Sequence, residues 1–219
     1  MSKREKIISE LMFWLQMLVI VAFFIPYQVS RMLHETDGMI ITSFLLVDIY
    51  CAFMLSLAWN AYKANPTRIA RQMVATWILG VVLYTLFTLT FAFNACKLWN
   101  PNDNVNAVNA AIGVMGALAL VRAKALPWSH PDVRMNLAIS FRVIPQTMLA
   151  LNIFASQSSK GVATEFVISF HALIALRIAG ILYAIKEHGT DRNRRCMLIS
   201  ESLGWASWCL VTAAWLVHR

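Results

Sequence analysis

Seven long apolar segments fill this chain and leave almost no sequence for a water-soluble domain. They cover about residues 11–30, 39–62, 73–95, 105–121, 135–155, 162–185 and 197–217. A helix that crosses a bilayer needs about 20 predominantly apolar residues. Within hydrocarbon, backbone polar groups must be satisfied inside the segment or inside a closed barrel. Barrel strands would alternate lipid-facing with lumen-facing residues; these runs are continuous, so helices are expected. The composition agrees, with 59% hydrophobic and only 14% charged residues, against about 25% charged in soluble domains. The expected fold class is an all-α integral membrane protein with seven transmembrane helices. The first run follows a basic start, as a signal peptide would. The bulky Phe23-Phe24-Ile25-Pro26-Tyr27 offers no small-residue cleavage site, so this run is expected to remain as a helix.

The formal net charge of +8 would point to nucleic acid in a soluble protein. Here the cations fall in alternate loops. Lys63, Arg68 and Arg71, then Arg122, Lys124 and Arg134, then Lys186, Arg192, Arg194 and Arg195 share one predicted side with the basic N-terminus. The other loops hold little beyond Arg31, Lys97 and Lys160. Lys and Arg accumulate on the cytoplasmic side of membrane proteins. The expectation is a multi-pass protein of the cell membrane, N-terminus cytoplasmic and C-terminus outside, with lipid and a small solute as partners and no nucleic acid. Oligomeric state is left open. The four cysteines form no close pair, and neither a disulfide framework nor a metal site is expected.

The second half echoes the first. An offset of 123 positions places Gly38 on Gly161, Ala61 on Ala184, Lys63 on Lys186 and Asp48 on His171. With a small gap, Ile25-Pro26 falls on Ile144-Pro145. Both prolines lie inside apolar runs, where the missing N–H disturbs a helix. The expected organisation is two parallel three-helix repeats, residues 1–98 and 127–219, joined by a linker helix within 99–126. The linker run is the shortest, and Asn109, Gly113 and Gly116 give it a small-residue face suited to close packing.

The second half carries Ile144-Pro145-Gln146 followed by Ser158-Ser159-Lys160-Gly161, and the first a looser Pro26-Tyr27-Gln28 with Asp37-Gly38. This resembles the PQ-loop motif, and the chain resembles the SWEET and PQ-loop superfamily of seven-helix, three-plus-one-plus-three membrane proteins. The resemblance implies transport by alternating access between two parallel bundles, with the third helix of each repeat lying between the first and second. Two features differ from eukaryotic SWEETs: the charge bias puts the N-terminus inside, and the last helix has no Asn to hold sugar. Bacterial vitamin-type nucleoside transporters share the helix plan and use aromatic-rich sites, a direction in which Trp205 and Trp208 point.

Ionisable residues inside a membrane are costly and mark functional sites by default. Asp48 and His171 occupy matching, deep positions and are expected to meet in a central cavity, gripping solute or a proton; the alternative is a structural Asp–His bond. Arg177 is a candidate anion ligand, or else pairs with a carboxylate such as Glu165 or Asp48. Arg142, nearer the start of its helix, is expected to snorkel to the inner face. Trp77, Gly80, Tyr84 and Thr88 share one face of the third helix, and Ser202, Trp205, Trp208 and Thr212 share one of the last. These faces either line a cavity or pack between helices. Trp14, Trp59, Trp99 and Trp215 are expected in the interfacial belt. Pro26, Pro145 and Gln146 are candidate hinge residues.

Nothing resembles a nucleophile elbow, a His-Glu-x-x-His site or a phosphate loop. The chain is not expected to be an enzyme or to hold a cofactor. The expected function is transport of a small polar solute such as a sugar, amino acid or nucleoside, proton-coupled if Asp48 and His171 titrate in one cavity. The alternative is a receptor or binding protein on the same scaffold.

Overall fold

The computed structural model describes residues 3–219 and, among them, contains no strand. Seven helices are long and apolar enough to cross a membrane: α1 Glu10–His34, α2 Thr42–Ala64, α3 Arg68–Asn94, α4 Pro101–Ala123, α5 Pro131–Ser156, α6 Thr164–His188 and α7 Arg192–Val217. The chain is a multi-pass membrane protein. Large apolar side chains such as Phe93, Val108 and Ile168 stand more than half exposed on the outer faces of these helices, where lipid is their solvent.

Several helices start a turn before their apolar runs because polar caps carry them outward. Thr67 accepts from the Ala70 N–H ahead of α3, and Asp191 accepts from the Arg194 N–H ahead of α7. Asn100 and Asp103 form a reciprocal capping box with Pro101 in the first turn. Each satisfies N–H groups that a helix start leaves without partners. Helix α4 thereby reaches 23 residues and ties with α2 as the shortest of these seven; it is longer than its apolar run because its first turn is polar.

The helices close into a ring. α3 packs against both α1 and α2, and α7 against both α5 and α6. The halves meet where α1 packs on α6 and α2 on α5. The order around the ring is α1, α3, α2, α5, α7, α6. α4 stands outside this ring against α2 and α5. Its small-residue face allows that approach: a Cβ on Gly113 would come within 2.4 Å of Ser140, and one on Gly116 within 3.2 Å of Asn136. The same residues trade bonds, Asn109 to the Ser140 carbonyl and Asn136 to the Gly113 carbonyl, both at 2.7 Å. Thr42, Asp103 and Asn106, all buried, tie the start of α4 to α2.

The two intramembrane prolines share a local device. A π-helical stretch, Val19–Phe24, runs directly into Pro26, and another, Ile139–Val143, runs directly into Pro145. Helix continuity is kept by wider turns: the Ile25 N–H reaches the Ile20 carbonyl and the Ile144 N–H reaches that of Ile139. The π-turn makes room where a proline ring would collide with the preceding turn. Neither helix breaks at its proline. Pro26 faces outward, whereas Pro145 is buried and its carbonyl accepts from Ser43 of α2 at 2.9 Å.

Candidate functional site

The middle of the ring holds charge. Arg142 sits eleven residues into α5, about 16 Å along it at 1.5 Å per residue, and is only 8% exposed. Its Nη1 donates to Glu201 of α7 at 2.8 Å, and its Nη2 to the Ser200 carbonyl at 3.0 Å. Arg142 does not snorkel. A carboxylate at equal depth on the neighbouring helix gives the guanidinium a nearer partner than the membrane surface. Arg177, midway along α6, brings its Nη1 to 3.9 Å from the same Glu201 oxygen. That is ion-pair range but too long for a hydrogen bond. Arg177 thus turns to Glu201, not to Glu165 or Asp48.

These three side chains border a small cavity of about 40 Å³ together with Trp77, Tyr84 and Gln146, room for a few waters. Two buried atoms there have no hydrogen-bond partner among the described residues: Nε of Arg142 and Oε1 of Gln146. A Cβ on Gly204 would make ordinary van der Waals contact with the Arg142 guanidinium, its nearest atom 3.5 Å away.

Towards the basic loops, the cavity meets a wider vestibule of about 550 Å³ among α1, α3, α6 and α7. Thr76, Trp77, Arg177 and Glu201 border both spaces. The vestibule has the size of a small-molecule site, and the ion cluster forms its inner wall.

At the other end the ring is closed. Phe24 and Phe170 border the cavity and join Phe87, Phe166 and Trp208 in an aromatic cluster, with Phe170 stacked on Trp208 at 3.8 Å between centroids. One turn beyond Phe24, the fully buried Gln28 donates to the Gly161 carbonyl at 2.8 Å and accepts from the Ala163 N–H at 3.1 Å. In the opposite sense, Asn152 of α5 donates to the Gly38 carbonyl at 2.9 Å. The two turns touch directly, the Gly161 N–H donating to the Asp37 carbonyl at 3.0 Å. Gly38 has φ +83°, and a Cβ on it would lie 2.0 Å from the Ser158 oxygen, so this turn demands glycine twice over.

The residues singled out from sequence fall into three groups. Arg177, Tyr84 and Gln146 border the central cavity. Asp48 and His171 do not meet: Asp48 accepts from Thr85 of α3 at 2.8 Å, whereas His171 lies between Thr212 at 2.7 Å and the Trp205 indole N–H at 2.9 Å, both on α7. Each bonds within its own half, in a seam between second and third helices. Thr88, Trp205 and Trp208 stand away from the cavity lining; the Thr88 hydroxyl has no partner among the described residues. Trp205 is half-exposed and braces His171, while Trp208 is buried among the phenylalanines. Trp215 is 7% exposed and belongs to the core, not to an interfacial belt. Helix α7 presents Glu201 and Gly204 to the cavity, a face turned from the one the hydroxyl and indole spacing marked.

Glu201 was missed because it lies close to the basic stretch that opens α7. Its signal was present: it is an acid within a span, and an acid in a span requires a partner. Arg142 was the unspent cation. No family model, curated protein or solved structure matches this chain.

Proposed function

We propose that this protein transports a small polar solute across a membrane by alternating access, with residues 1–98 and 127–219 as parallel three-helix repeats and α4 as their linker. One observation carries the reading. A charged, partly unsatisfied centre at mid-span is reached through a vestibule from one end and sealed by aromatic rings and turn-to-turn hydrogen bonds at the other. A purely structural bundle gains nothing from that asymmetry, since buried ion pairs are weak sources of stability. Support for the repeats comes from the reciprocal packing of α1 on α6 and α2 on α5, the paired π-turns before Pro26 and Pro145, and the exchanged amide bonds. The PQ-loop resemblance fits the same plan. The basic end is assigned to the cytoplasm of a cell membrane, so the vestibule faces inward. No proton step is assigned to Asp48 and His171, which lie in separate seams, and no enzymatic activity is assigned.

Uptake into proteoliposomes, with sugars, amino acids, hydroxy acids and nucleosides, with and without a pH gradient, tests the proposal. Saturable uptake of any class supports it. Solute binding without flux would replace it with the receptor alternative.

A further inference from the structure

The charge balance of the centre identifies what it binds. Arg142, Arg177 and Glu201 are the charged groups bordering the cavity. Two guanidiniums against one carboxylate leave one positive charge. Arg142 commits both Nη groups to Glu201 and to the Ser200 carbonyl, leaving only its buried Nε without a partner among the described residues. Arg177 makes no hydrogen bond among the described residues. It stands at the joint between cavity and vestibule with 27% of its side chain exposed. Its guanidinium has five donors in a planar fork suited to a carboxylate. The vestibule adds Arg194 and His188, with Glu201 as the acid of its described lining. A cationic solute would meet two guanidiniums and find Glu201 already engaged. A neutral sugar would leave the net positive charge of the centre uncompensated. The buried Oε1 of Gln146 adds a second requirement: it is an acceptor without a donor.

We propose that Arg177 and Gln146 bind a small carboxylate that also carries a hydrogen-bond donor, an α-hydroxy or α-amino acid, with Trp77 and Tyr84 around its apolar part. This rests on the central cavity being the binding site assigned above, and it adds the substrate class. The carboxylate takes the open fork of Arg177. The hydroxyl or ammonium fills the Gln146 oxygen. Glu201 then holds Arg142 away from the ligand, so that one cation, not two, sets the affinity.

Calorimetric titration of the purified full chain in detergent, with lactate, alanine, propionate, ethanolamine and glucose as probes, tests this without requiring transport. Lactate or alanine should bind at least tenfold more tightly than propionate, roughly the effect of filling one otherwise empty acceptor. Ethanolamine and glucose should not compete with them. Arg177→Gln should weaken lactate or alanine binding by at least about thirtyfold, as for loss of a partner to a poorly solvated charge, whereas Arg177→Lys should retain part of it. Gln146→Ala should abolish the preference over propionate. Tight glucose or ethanolamine binding with none of lactate or alanine overturns the proposal, as does full affinity in Arg177→Gln. No binding of any probe by the wild-type chain also overturns it. Carboxylate binding without flux removes the transporter assignment and leaves this inference standing; flux of neutral sugar alone does the reverse.

Discussion

Arg142 and Glu201 form a 2.8 Å ion pair between α5 and α7, with their side chains 10% and 14% exposed. The pair joins two helices of one half, and Arg177 reaches it from the third. All three helices of residues 127–219 therefore converge on one carboxylate.

Removing that carboxylate leaves a buried cation without its partner. Glu201→Gln is expected to cost about 3–5 kcal/mol of stability, while Arg142→Met combined with Glu201→Leu should recover most of the loss. Thermal unfolding of the two variants in detergent, followed by circular dichroism, measures the difference. Equal melting temperatures for both would show that the pair is solvated.

The Gly38 turn tolerates no side chain, because a Cβ meets the Ser158 oxygen and the backbone is left-handed. Gly38→Ala should abolish the monodisperse peak on size exclusion. Gly180 has open space around it and lies inside α6, so Gly180→Ala should match or exceed wild-type yield, by up to about 1 kcal/mol of helix propensity.

Cys96 is exposed near the end of α3 opposite the basic loops. With the basic end cytoplasmic, a membrane-impermeant maleimide should label Cys96 on intact cells and lose its target in Cys96→Ser. A cysteine placed at Lys124 in that background should stay unlabelled until the cells are opened. The reverse pattern would invert the topology.

Pro26→Ala and Pro145→Ala restore an N–H where the π-turns now end. Each should draw its helix towards regular α geometry, and transport should fall more than folded yield. Uptake rates normalised to reconstituted protein provide the check; unchanged rates in both would make the π-turns passive.

Asp48→Asn keeps an acceptor for Thr85, and His171→Gln keeps a partner for Thr212. Since both residues sit in seams away from the cavity, uptake and its pH profile should match wild type. A flattened profile in either variant would return that residue to the transport cycle.

The number of spans and the loop-charge bias were legible because lipid imposes length and apolarity on each helix separately. The glycine turns and the prolines were legible for a similar reason: Gly38, Gly161, Pro26 and Pro145 announce backbone constraints that act locally. The partners of charged residues were not. Asp48 and His171 match in position, and matching positions in two halves look like a meeting point; in the fold, matching seams hold them apart, each against its own threonine. Glu201 and Arg142 share no such offset. Only the rotation of α5 against α7 joins them, and a difference of one residue along a helix turns a side chain through about 100°. That rotation also moved Trp205 and Trp208 off the cavity.

The position of the three charged groups has an electrical consequence. Held within three membrane-spanning helices, a single uncompensated positive charge would lie within the transmembrane field, where moving one charge through 100 mV is worth about 2.3 kcal/mol. A monoanion bound there neutralises the centre; an empty centre stays cationic. In a carrier of that kind the loaded step would be indifferent to voltage, while the empty return would be hastened or held back by it. Membrane potential would then set the direction of net flow through the unloaded protein, and a current would appear only in the half-cycle in which nothing is carried.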